Sequence, residues 1–117
     1  MYAVYMIETP TNLRLDGWDF GLAGEHEWMP WGSGGDARAK VLASADGYYV
    51  VLVEAQPGYR GDAHEHTNAE FSYVVAGTVR TPGRELAAGD AVVAAAGSTH
   101  DDFEALTAAT YVTIFKL

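Results

Sequence analysis

His64 and His66 stand two residues apart in the stretch DAHEHTNAE (62–70), and Glu70 closes it. On an extended strand alternate side chains share a face, so His64 and His66 project together with Glu65 turned away. Two imidazoles on one face bind one metal ion through bonds of about 2 Å. A short bend then lets Glu70 bring a carboxylate to the same ion. His100 follows Gly97-Ser98-Thr99 at the start of a second extended stretch, and closure of a sheet returns it beside the first three. Three neutral imidazoles and one carboxylate suit iron(II), manganese, nickel, cobalt, copper or zinc, with one or two coordination positions left for water or substrate. Each piece alone has plainer uses, such as a surface HxH or a solvated glutamate. The chain has no cysteine, so a metal site here must use nitrogen and oxygen ligands.

The elements that would position these groups read as short strands. The 117 residues are one domain's length, and 13 glycines fall between apolar runs. YYVVLVEA (48–55) is a strand bounded by Asp46-Gly47 and Pro57-Gly58. FSYVVAGTVR (71–80) is another, with a bend expected at Gly77. Thr81-Pro82-Gly83-Arg84 has the residue order of a type II turn. AVVAAA (91–96) and TYVTIFKL (110–117) add two more strands, and MYAVYMI (1–7) is a further candidate. WGSGGDA (31–37) is loop by composition. Repeated short strands at this spacing predict an all-β barrel or sandwich. We divide the chain into residues 1–40, N-terminal strands and a tryptophan-rich loop packing on the barrel, and residues 41–117, the barrel itself, within one domain overall. Trp18, Trp28 and Trp31 all fall in the first part, as packing over a barrel face, as a dimer contact or as a lid over a pocket. His26 has no ligand partner at useful spacing and reads as surface or loop.

Composition excludes several functions. The net charge of -9 opposes nucleic acid and anionic lipid, and no basic stripe is present. No apolar run approaches the roughly 20 residues of a membrane span. The N-terminal residues lack a basic leader and a small-residue cleavage site, so a cytoplasmic location is expected.

The two stretches together resemble the cupin superfamily. Its first motif, G(x)5HxH(x)3-4E(x)6G, is matched by Gly58, His64, His66, Glu70 and Gly77. Its second, G(x)5PxG(x)2H(x)3N, is matched by Gly89, Gly97 and His100, with Ala95 in place of the proline and Glu104 in place of the asparagine. The resemblance implies a cupin-type double-stranded β-helix (a jelly-roll barrel of six to eight strands). It also implies one divalent transition metal ion, iron(II) first, held by His64, His66, Glu70 and His100 inside one mouth. A homodimer is a further implication.

Alternation from Glu70 turns Ser72 and Val74 inward and Phe71 and Tyr73 outward. Ser72 is then a polar group of the pocket, or a small residue that leaves interior room. Alternation from His100 carries Asp102 and Glu104 to its side. Either carboxylate could orient an imidazole, and Glu104 is a candidate general base, with a solvated acidic rim as the plainer reading. Asp62, Glu65 and Asp101 near the mouth disfavour a strongly anionic substrate, whereas Arg60 is an anion anchor or a surface residue. Across its whole length the chain loosely resembles small cupins akin to dioxygenases of β-dicarbonyl and hydroxyacetophenone compounds. We therefore expect a dioxygenase-like oxidoreductase acting on a small molecule. The alternatives are a metal-dependent isomerase or lyase, or a binding or sensor cupin. A distant resemblance to the zinc-holding cupin parts of anti-sigma regulators carries the last, and the absence of a spare output segment counts against it.

Overall fold

The computed structural model of the chain describes residues 17–61, 64–65, 67–100 and 103–117, with the backbone alone at His64, Glu65 and His100. Among the described residues eleven strands follow in order: β1 (Met29–Pro30), β2 (Ala37–Ala45), β3 (Tyr48–Ala55), β4 (His64–Glu65), β5 (Glu70–Ala76), β6 (Thr78–Thr81), β7 (Arg84–Ala87), β8 (Ala91–Ala94), β9 (Thr99–His100), β10 (Glu104–Ala105) and β11 (Ala109–Lys116). They form a six-stranded sheet ordered β1-β2-β3-β11-β5-β8, a three-stranded sheet ordered β10-β6-β7, and the ribbon β4-β9. The strand pairs are antiparallel. One core joins the sheets: Val51, Val53, Val74 and Tyr111 of the large sheet bury with Val79, Leu86 and Ala105 of the small one. The fold is the expected all-β jelly roll. The strand list is longer than six to eight because four of the eleven are two-residue pairings.

Local chemistry accounts for the corners. Asp46-Gly47 closes the β2–β3 hairpin with φ of 53° and 83°, the left-handed pair that a type I′ turn requires. Gly77 ends β5, and the next residue enters the other sheet as β6. Its φ is 82°, and a Cβ there would lie 2.1 Å from the Ala108 carbonyl oxygen. The chain thus turns where only glycine fits. Gly83 has φ 76° in the β6–β7 turn, as the Pro-Gly order predicts.

The long strand β2 begins at Ala37 and runs on through residues 40 and 41. The three tryptophans part company: Trp31 is buried in the core and Trp18 is exposed. Trp28 lies under the Arg38 guanidinium, 4.1 Å from its ring centroid, with the Lys40 ammonium at 4.7 Å. Lys40 also donates to the Ala23 carbonyl, which ties residues 23–28 to the outer face of β2. The candidate strand 1–7 lies outside the described residues. Among the described residues no helix is long and apolar enough to cross a membrane.

Candidate metal centre

The backbone brings two of the four predicted ligand positions together. In the β4-β9 ribbon His64 is the direct partner of His100, and Glu65 of Thr99. Residues 58–66 and 89–104 are thus joined by a ladder and not only by a spacing pattern. His66 lies outside the described residues, as do Asp102, Asp62 and Asp101. Among the described residues no cluster of three metal-ligating side chains occurs.

Glu70 is the first residue of β5 and only 6% exposed, although its carboxylate is a strongly hydrated group in water. Alternation explains the burial: Glu70, Ser72 and Val74 are buried, while Phe71 and Tyr73 are 55% and 50% exposed. Across the sheet, Thr113 of β11 is the direct partner of Ser72. The Thr113 hydroxyl donates to the Glu70 Oε2, and the Ser72 hydroxyl donates to Thr113 Oγ1 at 3.3 Å. A carboxylate inside a fold needs donors or a cation to offset its lost hydration. Thr113 supplies such a donor, and the oxygen-rich chain Ser72–Thr113–Glu70 fits a hard or borderline divalent ion.

A second polar group lines the interior. Tyr59 and Tyr111 are both buried, and Phe103 packs on Tyr111 with ring centroids 4.9 Å apart. Burial pushes the Tyr111 hydroxyl well above its usual value, and the neighbouring Tyr59 and the Glu70 carboxylate push in the same direction. Tyr59 is raised as well, again chiefly by burial, although hydrogen bonds from Tyr111 and Trp31 oppose the shift. Both phenols therefore stay protonated at neutral pH. The loop residue Trp31 reaches this pair from the N-terminal side of β2.

The outer candidates fall elsewhere. Glu104 of β10 is the cross-strand partner of Arg80, and Arg80 Nη2 donates to its Oε1 at 2.9 Å. That hydrogen bond, with the Arg80 and Arg60 charges, holds the Glu104 carboxyl below the usual carboxylate range. A carboxylate so held is a weaker base. Arg60 is exposed and makes an isolated bridge to Glu104. A groove of about 620 Å³ is lined by Asp36, Arg38, Glu54, Gln56 and Thr110. It lies at the Ala76 end of β5, about 20 Å along the strand from Glu70. It is therefore remote from this chemistry.

Sequence reasoning did not single out Thr113, Tyr111 or Tyr59. A signal existed for two of them. In TYVTIFKL the odd positions Tyr111, Thr113 and Phe115 share a face, and a hydroxyl on an otherwise aromatic inner face asks for a partner.

The antiparallel jelly roll and the two motif stretches joined by a ladder define a cupin. The model of the ChrR cupin-like domain matches residues 22–116, and the chain belongs to that family. Cupins generally bind a metal ion. Among solved structures, KdgF from Halomonas sp. is 29% identical and superposes with a TM-score of 0.70. The match covers 84% of this chain and 94% of that one. An acetylacetone dioxygenase from Acinetobacter johnsonii has a TM-score of 0.74 at 11% identity, covering 93% of this chain and 80% of that one. A chain in the complex of Rhodobacter sphaeroides SigE with the anti-sigma ChrR has a TM-score of 0.67 at 20% identity. That match covers 81% of this chain and 52% of the other. At these last two identities the likeness is one of fold. No curated protein matches the sequence.

Proposed function

We propose that the chain is a metal-dependent cupin enzyme in which His64, His66, Glu70 and His100 hold one divalent ion, with iron(II) the first candidate. Its proposed activity is that of a dioxygenase-like oxidoreductase on a small substrate that chelates through an enol or catechol-like pair of oxygens. The observation that carries this reading is the buried Glu70 carboxylate, oriented by Thr113 and Ser72 at the glutamate of the first motif. The register of His64 opposite His100 supports it, because direct partners in an antiparallel ladder share a face. An ion in this set would supply Lewis acidity and open coordination positions. The chain's own part is to bind and orient. Tyr59 and Tyr111 remain proton donors inside the fold, and the valine-lined core excludes water. Asp102 is the proposed support of an imidazole, and Arg60 a proposed anion contact at the rim. Glu104 acts as a base in this reading only when it leaves Arg80.

The reading includes a homodimer built on the outer face of the large sheet. Phe71, Tyr73, Val75, Val93 and Ile114 are exposed there. The described part of the N-terminal segment packs on the barrel through Trp28 on the outer face of β2 and Trp31 in the core. Nucleic acid and membrane surfaces are not partners, in keeping with the charge of -9, and the cysteine-free composition supports a cytoplasmic location.

The family match favours a second reading, a metal- or ligand-sensing module without turnover. One experiment separates the two. The protein is purified anaerobically, its metal is identified by mass spectrometry, and iron(II) is added. Oxygen uptake is then followed with β-diketones, catechols and hydroxyketones. Uptake that His66→Ala abolishes while circular dichroism stays β-rich supports the oxygenase. Substrate loss without oxygen uptake points to an isomerase or lyase. Tightly held zinc with no turnover leaves the sensor.

A further inference from the structure

Thr113 sits where the strand pattern calls for an apolar residue. It is 1% exposed on β11, with buried Tyr111 and Phe115 on the same face, and its partner on the β3 side is buried Val51. Valine would fill the same volume, so packing alone does not explain the hydroxyl. A buried hydroxyl is tolerated when it is hydrogen-bonded. Its single proton goes to Glu70 Oε2, which obliges the Ser72 proton to point to Thr113 and fixes the order Ser72 to Thr113 to Glu70.

The geometry suits a positioning role. Ser72 and Thr113 are direct cross-strand partners, and Glu70 lies two residues along β5 on the same face, a diagonal neighbour. Threonine is β-branched and stiff at its first torsion, so its oxygen is fixed by the strand. Glutamate has three torsions and can present its carboxylate in many ways. A donor anchored on β11 restricts that choice, using one of the roughly four lone-pair sites of the carboxylate.

We infer that Thr113 is a positioning residue for the Glu70 carboxylate, backed by Ser72, and that divalent-cation affinity depends on a hydroxyl at position 113. This rests on the proposed metal reading of Glu70. The test is titration of the metal-free full chain with cobalt(II), followed by visible absorption and by competition with a chelator. Loss of an outer support of a metal ligand typically weakens binding by about 10- to 100-fold, and that is the loss expected for Thr113→Val, together with an altered cobalt spectrum. Thr113→Ser restores the hydroxyl and is expected within about threefold of the parent, with Ser72→Ala weaker by roughly threefold. The melting temperature of metal-free Thr113→Val stays within a few degrees of the parent, since shape is retained. A parent chain that binds no cobalt overturns the metal reading and this inference with it. A parent that binds, with Thr113→Val equal to it in affinity and spectrum, overturns this inference alone. If Thr113→Val fails to fold, Ser72→Ala decides: unchanged affinity and spectrum there overturn the inference.

Discussion

A carboxylate on an inward position is a residue whose cost to the fold makes sense through what it binds. Glu70 gives up hydration, and Thr113 returns part of it. Glu70→Gln keeps the shape and an acceptor for Thr113 but removes the charge. We predict that metal-free Glu70→Gln is more stable than the parent by about 1 kcal/mol, several degrees in melting temperature for a domain of this size. Its metal content should fall roughly tenfold or more. Differential scanning calorimetry and metal analysis on the same preparations check both halves. A lower melting temperature in the metal-free variant would mean that the carboxylate stabilises the fold. His64→Ala and His100→Ala should also empty the site while circular dichroism stays β-rich, and metal retained in both would refute the ligand assignment. The proposed ligand set was drawn from spacing, through period-2 alternation and two turn glycines. Thr113 was not, because its role is set by a cross-strand partner 43 residues away in the chain, a relation no local pattern carries.

Strands and corners were legible to different degrees for a physical reason. YYVVLVEA gave β3 residue for residue, since β-branched and aromatic runs between turn residues have few other uses. ARAKVLASA gave no such signal: alanine and lysine are poor strand markers, and β2 is held by its pairing with β3 along its length. The bend at Gly77 was expected, but the change of sheet was not, because it depends on the close Ala108 carbonyl. Gly77→Ala combines a left-handed φ with that contact, and should cost at least about 2 kcal/mol, read as a lower urea midpoint with an unchanged slope. Activity lost without a change in midpoint would argue against a corner role. The pair that joins β10 to β6 makes a pH prediction. Arg80 lowers the Glu104 pKa, so its stabilisation is present above the unfolded carboxylate value of about 4.3 and is lost as pH falls through the lower folded value. The melting-temperature gap between the parent and Glu104→Gln should therefore close between neutral and strongly acid pH. It should also shrink in high salt, because the pair is partly exposed. A gap that is constant with pH would remove the pair from the account.

At the scale of the whole molecule, charge and apolar surface pull in opposite directions. Each chain carries -9, which keeps copies apart at long range. Yet Phe71, Tyr73, Val75, Val93 and Ile114 leave an apolar outer face, with a groove of about 260 Å³ between β5, β8 and β11 and no charged residue in its lining. The strand β8 at the end of that sheet is Ala91-Val92-Val93-Ala94, without the lysine or proline that usually blunts an edge. Two copies meeting across this face would bury apolar area without facing acids against acids, so the association we propose has a distinctive salt response. Salt screens the repulsion between the two negative molecules and leaves the apolar contact intact. Dimerisation should tighten as sodium chloride rises, the reverse of an ion-paired interface. Val93→Glu places a charge inside the face and should yield a monomer at low salt with the β-rich spectrum retained. Sedimentation equilibrium across a salt series on both proteins is the measurement. Association that weakens with salt, or that survives Val93→Glu, would assign the contact to another face and leave this patch to a different partner.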